Sequence, residues 1–391
     1  MSASVPERSL PSPPLARPLL AWQPALREKL AWCSLAELPT AIERLRWLER
    51  PGGPALYAKR DDRSSTIYGG NKVRTLELLF GDALGRGATH VISTGAYGSN
   101  HAVATALHAR RAGLIPGAVI FPQPMSEAAL ENLRVLIASS EVVYPLRHWS
   151  VLPFGMLKAR RAGREAGRRT YVMVPGGATP LGALGYVSAA LELADQIAAG
   201  ELPLPRRIFV GVGSTCTSAG LLVGLAYAAR YCPAFAEQVQ ALGAPELTSV
   251  RVTPWPVTSR YRIVSLARRT SALVAELAGD RTLLLDGTGL SRGLRIESRF
   301  LGRGYGKPTP EGRRVLQQFE QAAGWSLDTT YSAKAAAAFV EAAAREGSGG
   351  LLFWSTKSTT PLPEVAQTVL DRAAPRLRRW MRRAQAHRGA T

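Results

Sequence analysis

Short apolar runs that alternate with helical patterns constrain the fold of this chain more than any other sequence feature. Six runs rich in β-branched residues are predicted strands, at 89–94, 117–121, 171–175, 207–212, 249–253 and 350–354. Continuous apolar runs are typical of strands buried on both faces of a parallel sheet. Helices are predicted between them, at 72–84, 99–114, 313–322 and 333–345. Such alternation predicts right-handed crossovers and a doubly wound α/β fold.

The composition excludes several other classes of protein. Hydrophobic residues make up 46% of the 391 residues and charged residues 20%, which is typical of a globular chain and not of a disordered one. No apolar run reaches the ~18 residues of a membrane span. We recognise no secretory leader, and three scattered cysteines indicate neither a disulfide framework nor a metal site, so a cytoplasmic protein is expected. Residues 1–20, rich in proline and serine, are interpreted as a loose arm.

The net charge of +20 raises the question of a nucleic-acid partner. The basic residues are spread along the chain, apart from a cluster at 376–383. We interpret that cluster as the solvated face of a terminal helix. Neither a nucleic acid nor a membrane is therefore expected as a partner.

A Gly-Gly-Asn-Lys sequence at 69–72 stands where a loop meets a predicted helix. Lys72 would then lie at the positive end of the helix dipole, where an ammonium group is disfavoured. A neutral amine is the form of lysine that reacts with an aldehyde cofactor. Taken alone, however, the motif favours the alternative of a surface lysine after a glycine turn.

Two further motifs stand at predicted strand-to-helix turns. Ser99, Asn100 and His101 open a helix whose free N–H groups suit a carboxylate, although an ordinary N-cap serine is the alternative. Small and hydroxyl-bearing residues at 211–220 form a candidate phosphate cradle. This segment lacks both the Gly-Lys-Ser/Thr of a Walker loop and the last glycine of the dinucleotide fingerprint. It therefore fits a cofactor with a single phosphate group better.

Five segments occur in the order seen in one enzyme family, at 59–77, 94–101, 175–187, 304–310 and 327–334. On these segments the chain, from about residue 56 to about residue 362, resembles the D-cysteine desulfhydrases and 1-aminocyclopropane-1-carboxylate (ACC) deaminases. The cofactor of that family is pyridoxal 5′-phosphate (PLP). The resemblance implies an α/β fold of the tryptophan-synthase-β type (fold type II), with two domains of open parallel-type sheets flanked by helices.

The resemblance also implies a division of the chain and an assembly. An N-terminal arm and lead-in would occupy 1–37. A large PLP-binding domain would comprise 38–75 and 190–391, and a small domain would comprise 76–189. A homodimer is the expected assembly.

The family's functional residues are carried over only where this sequence matches its motifs. Lys72 matches the lysine that forms the Schiff base with PLP. Asn100 lies at the position near the phenolic oxygen of PLP, and Thr356 lies at the position near its pyridine nitrogen. The phosphate loop is matched by Ser214, Thr215, Cys216 and Thr217. The substrate-side positions are matched by Ser99, Asn100 and His101. Tyr305 and Tyr331 match the active-site tyrosines.

This chain departs from the family pattern at three places. Thr215 and Cys216 replace glycines of the phosphate loop, so cofactor binding depends on backbone angles that tolerate a side chain. Lys357 lies in a Ser-Thr-Lys-Ser sequence where the family has His-Thr-Gly-Gly, which adds charge near the site. Ser332 follows the second tyrosine, where the deaminases have glutamate. The last two departures bear on the identity of the substrate.

The expected function is a PLP-dependent lyase or deaminase that acts on a small amino acid. Ser332 favours α,β-elimination from D-cysteine, which gives a 2-oxo acid and ammonia, over ACC deamination. Lys72 is the expected base, Tyr305 and Tyr331 are candidates for the acid, and Ser99 is a third. The alternative from another class is a non-catalytic PLP-fold protein with a binding or regulatory role.

Overall fold

The computed structural model describes residues 17–388, and the strands in this part of the chain form two sheets. The strands are β1 (Ile42–Arg44), β2 (Ala55–Lys59), β3 (His90–Ala96), β4 (Ile115–Phe121), β5 (Val142–Pro145), β6 (Thr170–Val172), β7 (Pro205–Val212), β8 (Glu246–Arg251), β9 (Leu294–Glu297) and β10 (Gly350–Trp354). The larger sheet has the order β1-β2-β10-β7-β8-β9, and the smaller has the order β5-β4-β3-β6. These strands pair in parallel, except that β1 is antiparallel to β2.

Helices connect the strands. They are α1 (Pro18–Trp22), α2 (Asn71–Gly85), α3 (Asn100–Arg111), α4 (Glu127–Ser139), α5 (Leu152–Glu165), α6 (Pro180–Ala198), α7 (Cys216–Tyr231), α8 (Pro233–Leu242), α9 (Arg260–Ala278), α10 (Gly287–Arg292), α11 (Pro310–Ala323), α12 (Ser332–Arg345), α13 (Gln367–Asp371) and α14 (Pro375–Arg388). Within residues 17–388 no helix by itself is long and apolar enough to cross a membrane, and only the sharply bent pair α7–α8 has the required length and composition.

Side chains of the central strands alternate between two cores. In β10, Leu352 and Trp354 pack with α6, α7 and α9, whereas Leu351 and Phe353 pack with α11 and α12. Because successive residues of a strand point to opposite faces, helices cover both faces of the larger sheet. This double burial accounts for the continuous apolar runs in the sequence. The predicted α/β fold with parallel-type sheets flanked by helices is confirmed.

The six predicted strands and four predicted helices are all present, with shifted ends. The strand predicted at 171–175 ends at Val172, and the chain then turns through Gly176 and Gly177, both at φ +66°. Strands β1, β2, β5 and β9 were not predicted. Strands β1, β5 and β9 have only three or four residues each. Strand β2, although mostly buried, has only five residues and ends in a lysine. The smaller sheet uses residues within 90–172. The domain boundaries inferred from the family stay a prediction.

The sequence predicted the C-terminal end of the described chain correctly and the N-terminal end wrongly. The prediction of a loose arm over 1–20 is wrong for 17–20, because Leu19 and Leu20 are buried against α6; residues 1–16 lie outside the described part. The solvated basic face of the last helix is confirmed. On α14 the apolar side chains of Leu377 and Met381 are buried, and the exposed side includes Arg378, Arg379, Arg382 and Arg383.

A buried ion network holds the helix that carries Lys72 against the larger sheet. Arg74 on α2 lies 2.8 Å from Asp61 and 2.9 Å from Glu192 on α6, and Lys59 on β2 lies 2.5 Å from Glu192. Burial alone would raise the pKa of Glu192, but Arg74 and Lys59 lower that pKa to about 2. Each charge is therefore compensated, which such groups require in an interior. The network fixes where α2 begins.

Candidate active site

The loop before Lys72 is bound to the segment that follows β10. The amide of Gly69 donates to the Ser358 hydroxyl, and the amide of Asn71 donates to the Thr356 carbonyl, both at 2.9 Å. Between them, Gly70 has φ +94°, and a Cβ there would lie 2.5 Å from the Thr356 oxygen. Only glycine satisfies both conditions. The loop therefore holds Lys72 in the first turn of α2 at a defined place.

The Lys72 amine lies in the interior of the protein. Its Nζ is 3.4 Å from the Ser214 hydroxyl and 3.8 Å from where a Cβ on Gly176 would stand. Burial lowers the pKa of Lys72, although Cys216 opposes the shift. The lowered pKa lies in the direction that the sequence led us to expect, but its main cause is burial, whereas the sequence suggested the helix dipole.

The predicted phosphate loop joins β7 to α7, and the first N–H groups of α7 have no acceptor within the helix. Thr217 receives a hydrogen bond from the Asn71 amide group at 2.9 Å, so the phosphate loop contacts the lysine loop. Cys216 turns its thiol inward, 3.4 Å from the Gly177 carbonyl. Only the backbone N–H of Cys216 can therefore bind a phosphate. A glycine at this position would offer the same N–H group, so the replacement keeps this donor.

Thr215 is the only non-glycine residue within 17–388 that has a clearly positive φ, at +70°. A threonine in this region carries about 1–3 kcal/mol of strain, and glycine costs about 0.5–1 kcal/mol in flexibility. We therefore expect Thr215→Gly to raise the free energy of unfolding by ~1 kcal/mol. Urea unfolding at one fixed PLP concentration measures this.

Thr217→Gly is the matched control for that prediction. Position 217 lies in the first turn of α7 with ordinary helical angles, and its hydroxyl binds Asn71. In this control the free energy of unfolding should fall by ~1 kcal/mol or more, because glycine destabilises a helix. A loss of similar size in Thr215→Gly would show that the φ of Thr215 stores no strain.

The Ser99–His101 motif opens α3. The Ser99 hydroxyl accepts from the amide of Ala102 at 3.3 Å, so it caps the helix. The Asn100 side-chain oxygen accepts from the Tyr68 hydroxyl at 3.2 Å and from the Asn132 amide group at 2.8 Å. These bonds fix Asn100 and leave the free end of α3 available to a carboxylate.

His101 is fully buried, and neither ring nitrogen has a hydrogen-bond partner among the described residues. Burial, together with the Lys72 charge, lowers the pKa of His101 to about 3. Its ring lies 3.4 Å from the Cβ position of Gly177. The imidazole is therefore neutral and stands on the lysine side of the site, where a bound ligand could satisfy its unpaired nitrogens.

The two predicted tyrosines form a pair. Their hydroxyl oxygens are 2.8 Å apart, and the rings meet edge to face. Burial raises the pKa of Tyr305 and of Tyr331, so both hydroxyls keep their protons at neutral pH. Tyr331 lies against the phosphate loop, because a Cβ on Gly213 would stand only 2.7 Å from its ring. The structure thus brings this pair and Lys72 to neighbouring residues of one loop, Gly213 and Ser214.

Ser332, at the start of α12, is buried, and its hydroxyl has no partner among the described residues. Thr356 is also buried and follows β10. Either hydroxyl is of the right type for a pyridine nitrogen. Together with the amine of Lys72 and the free end of α7, these groups fit PLP: a lysine for the aldehyde, N–H donors for the phosphate, and orphaned polar atoms for the ring.

The sequence did not indicate that Tyr68 and Asn132 belong to this site, nor which groups Lys357 contacts. Tyr68 directly precedes the lysine loop, and its hydroxyl joins Asn100 to Lys357, whose Nζ is 3.1 Å away. Asn132 lies on α4 and contacts Asn100. The position of Tyr68 beside 69–72 was a usable signal. Nothing in the sequence near Asn132 indicated its role.

Comparisons with known proteins indicate the same cofactor that the residues of this site fit. The family model described as pyridoxal-phosphate dependent enzyme matches residues 33–353. The chain is 32% identical over 336 residues to the nocardicin C-9′ epimerase of Nocardia uniformis subsp. tsuyamanensis (84% of this chain, 94% of that protein). It is 32% identical over 308 residues to the D-cysteine desulfhydrase of Salmonella choleraesuis (78% and 85%). A crystal structure of an ACC deaminase homologue matches with TM-score 0.69 and 28% identity, covering 90% of this chain and 98% of that one.

Proposed function

This chain belongs to the family of pyridoxal-phosphate-dependent enzymes, and we propose that it catalyses α,β-elimination from D-cysteine to give hydrogen sulfide, ammonia and a 2-oxo acid. The observation that carries the proposal is the arrangement of a buried amine and a hydroxyl pair around one loop. Lys72 contacts Ser214, and Tyr331 packs on the adjacent Gly213. A base and an acid within reach of one small substrate are what elimination requires.

Each residue has a part in this proposal. Bound PLP would withdraw electrons from the Cα of the substrate. The N–H groups at the start of α3 would hold the substrate carboxylate. Lys72, once free of the cofactor, would accept the Cα proton at Nζ. The Cβ–S bond would break with the electron pair on sulfur, and Tyr331 or Tyr305 would donate a proton to it. The released 2-aminoacrylate would take up water to give the 2-oxo acid and ammonia.

Ser332 supports elimination over ACC ring opening. The resemblance places a glutamate of the deaminases at this position, and here it is a buried serine hydroxyl without a partner among the described residues. Separately, a neutral hydroxyl at Thr356, the position near the pyridine nitrogen, would leave that nitrogen largely unprotonated, which moderates its electron withdrawal and favours elimination over transamination. ACC deamination is the alternative reaction of the same site.

Epimerisation is a second candidate function. The observation that favours it is the similarity to the nocardicin C-9′ epimerase, which is 32% identical to this chain over 84% of its length. Epimerisation begins with the same removal of a Cα proton, but a proton returns to the opposite face and the Cβ substituent stays. The two reactions therefore differ in their products and not in their first step.

One experiment separates these functions. The PLP-loaded enzyme is incubated in D₂O with D-cysteine, L-cysteine or ACC, and sulfide, ammonia, 2-oxo acid and the Cα deuterium of recovered amino acid are measured. We expect D-cysteine to give sulfide, ammonia and 2-oxo acid in equal amounts. Turnover of ACC without sulfide from D-cysteine would overturn the proposal in favour of the deaminase. Deuterium in an inverted amino acid would favour the epimerase, and no reaction with any small amino acid would favour a non-catalytic protein.

We also propose that the enzyme acts in the cytoplasm as a homodimer. The three cysteines of the described residues are unpaired, which suits a reducing compartment. Exposed apolar side chains on and beside α5, at Trp149, Phe154 and Leu157, offer a surface that a second copy could cover. Sedimentation of the PLP-loaded enzyme tests the assembly.

A further inference from the structure

We propose that Lys357 binds an anionic group on the side chain of the substrate, so that the preferred substrates are small amino acids whose side chain is a thiolate or a carboxylate. This inference rests on the proposed function and deepens it, because an ammonium beside the D-cysteine thiol would favour its thiolate form.

Lys357 stands among the elements that form the site. Its backbone pairs with Gly70 in the lysine loop. Its Nζ is 3.1 Å from the Tyr68 hydroxyl and 4.9 Å from the centre of the Tyr68 ring. The same hydroxyl donates to Asn100 at the start of α3. The ammonium therefore lies beside the lysine loop and one hydroxyl away from the end of α3 that would hold the substrate carboxylate.

The charge of Lys357 has no close counterion in the described part of the chain. Burial opposes the charge, but Tyr68, Asp328 and Glu131 raise the pKa of Lys357, so the group is an ammonium ion at neutral pH. None of the ion pairs found between described side chains includes Lys357, whose Nζ donates to the Tyr68 hydroxyl.

The carboxylate of Asp328 is occupied elsewhere. It accepts from the backbone amides of Thr330, Tyr331 and Ser332, at 2.8–3.0 Å. Asp328 thus caps the start of α12 and orients Tyr331, and it affects Lys357 only through space. A cation held in this way is expensive to bury without an anion beside it. The anion that fits is one that arrives with the substrate.

The chemistry of the proposed reaction agrees with such a partner. When the Cβ–S bond breaks, negative charge develops on sulfur, and an ammonium beside it stabilises that charge. A carboxylate at the same position would bind for the same electrostatic reason. It would not be expelled from Cβ, however, so such a compound would be a ligand and not a substrate for elimination. Lys357 would therefore select both thiolate substrates and carboxylate ligands, and it would discriminate against neutral analogues of the same size.

The test compares aspartate with asparagine, which has nearly the same shape and no side-chain charge. Binding of both enantiomers of each to the PLP-loaded enzyme is measured by calorimetry, which does not depend on turnover. We expect the favoured enantiomer of aspartate to bind at least tenfold more tightly than the matching asparagine. In Lys357→Met this ratio should fall to within about twofold, since the charge is lost and the apolar stem is kept.

Lys307→Met is the matched control, because Lys307 is an exposed lysine in the loop that follows Tyr305. It should retain the full preference for aspartate. Thermal unfolding and PLP content show whether Lys357→Met is folded and loaded; if it is not, Lys357→Gln takes its place. Equal binding of aspartate and asparagine by the wild type, or an unchanged ratio in the folded variant, would overturn the inference.

The outcomes for the two proposals remain distinct. If D-cysteine releases no sulfide but the preference for aspartate depends on Lys357, the proposed elimination fails and the anion-binding role stands. If sulfide is released but no such preference exists, the elimination stands and the role of Lys357 fails.

Discussion

Replacing Lys72 with alanine is expected to lower turnover by several orders of magnitude. The substitution removes the amine that would hold the cofactor covalently and the base that would accept the Cα proton. The backbone of the phosphate loop is untouched, because the hydrogen bond of Lys72 to this loop goes to the Ser214 side chain. PLP should therefore still bind, but more weakly and without a covalent link.

Borohydride treatment followed by peptide mass measurement checks this independently of activity. In the wild type the reduced cofactor should be fixed to the peptide that contains Lys72, and in Lys72→Ala to no peptide. Lys158→Ala, an exposed lysine on α5, should behave as the wild type. Cofactor fixed to Lys357 in the variant would assign the covalent link to that lysine, which also lies in the site.

Replacing Tyr331 with phenylalanine is expected to lower turnover by roughly 10²–10⁴-fold, the usual contribution of a positioned acid. The ring and its packing on the phosphate loop remain, and only the hydroxyl that pairs with Tyr305 is lost. PLP content and the covalent link should not change. Steady-state rates of sulfide release measure the effect.

Tyr305→Phe is the paired variant for that measurement. If Tyr331 is the acid and Tyr305 orients it, the loss in Tyr305→Phe should be smaller than in Tyr331→Phe. A loss of less than about tenfold in Tyr331→Phe, about 1.4 kcal/mol in the barrier, would assign Tyr331 to packing. The acid would then be Tyr305 or Ser99.

Two structural features explain why the main elements were predictable. The strands that flank the site, such as β7 and β10, are buried on both faces over most of their length, so each contains an unbroken apolar run, at 208–212 and 350–354. Short and half-exposed strands such as β1 and β5 carry no such pattern. Leu19 and Leu20 were misjudged because their neighbours are prolines, although the two leucines themselves are buried.

The sequence by itself determined the fold class and the positions of the two loops, because each depends on local pattern: apolar period, glycines at a turn, and small residues before a helix. The roles of the two loops followed from the resemblance to a family and stay a prediction. Tertiary structure alone decided how these segments meet. The contact of Lys357 with Tyr68 joins residues 289 positions apart, and that of Tyr305 with Tyr331 joins two loops. Whether a charge such as that of Lys357 is compensated depends on every group around it in space, and no local pattern in the chain records that.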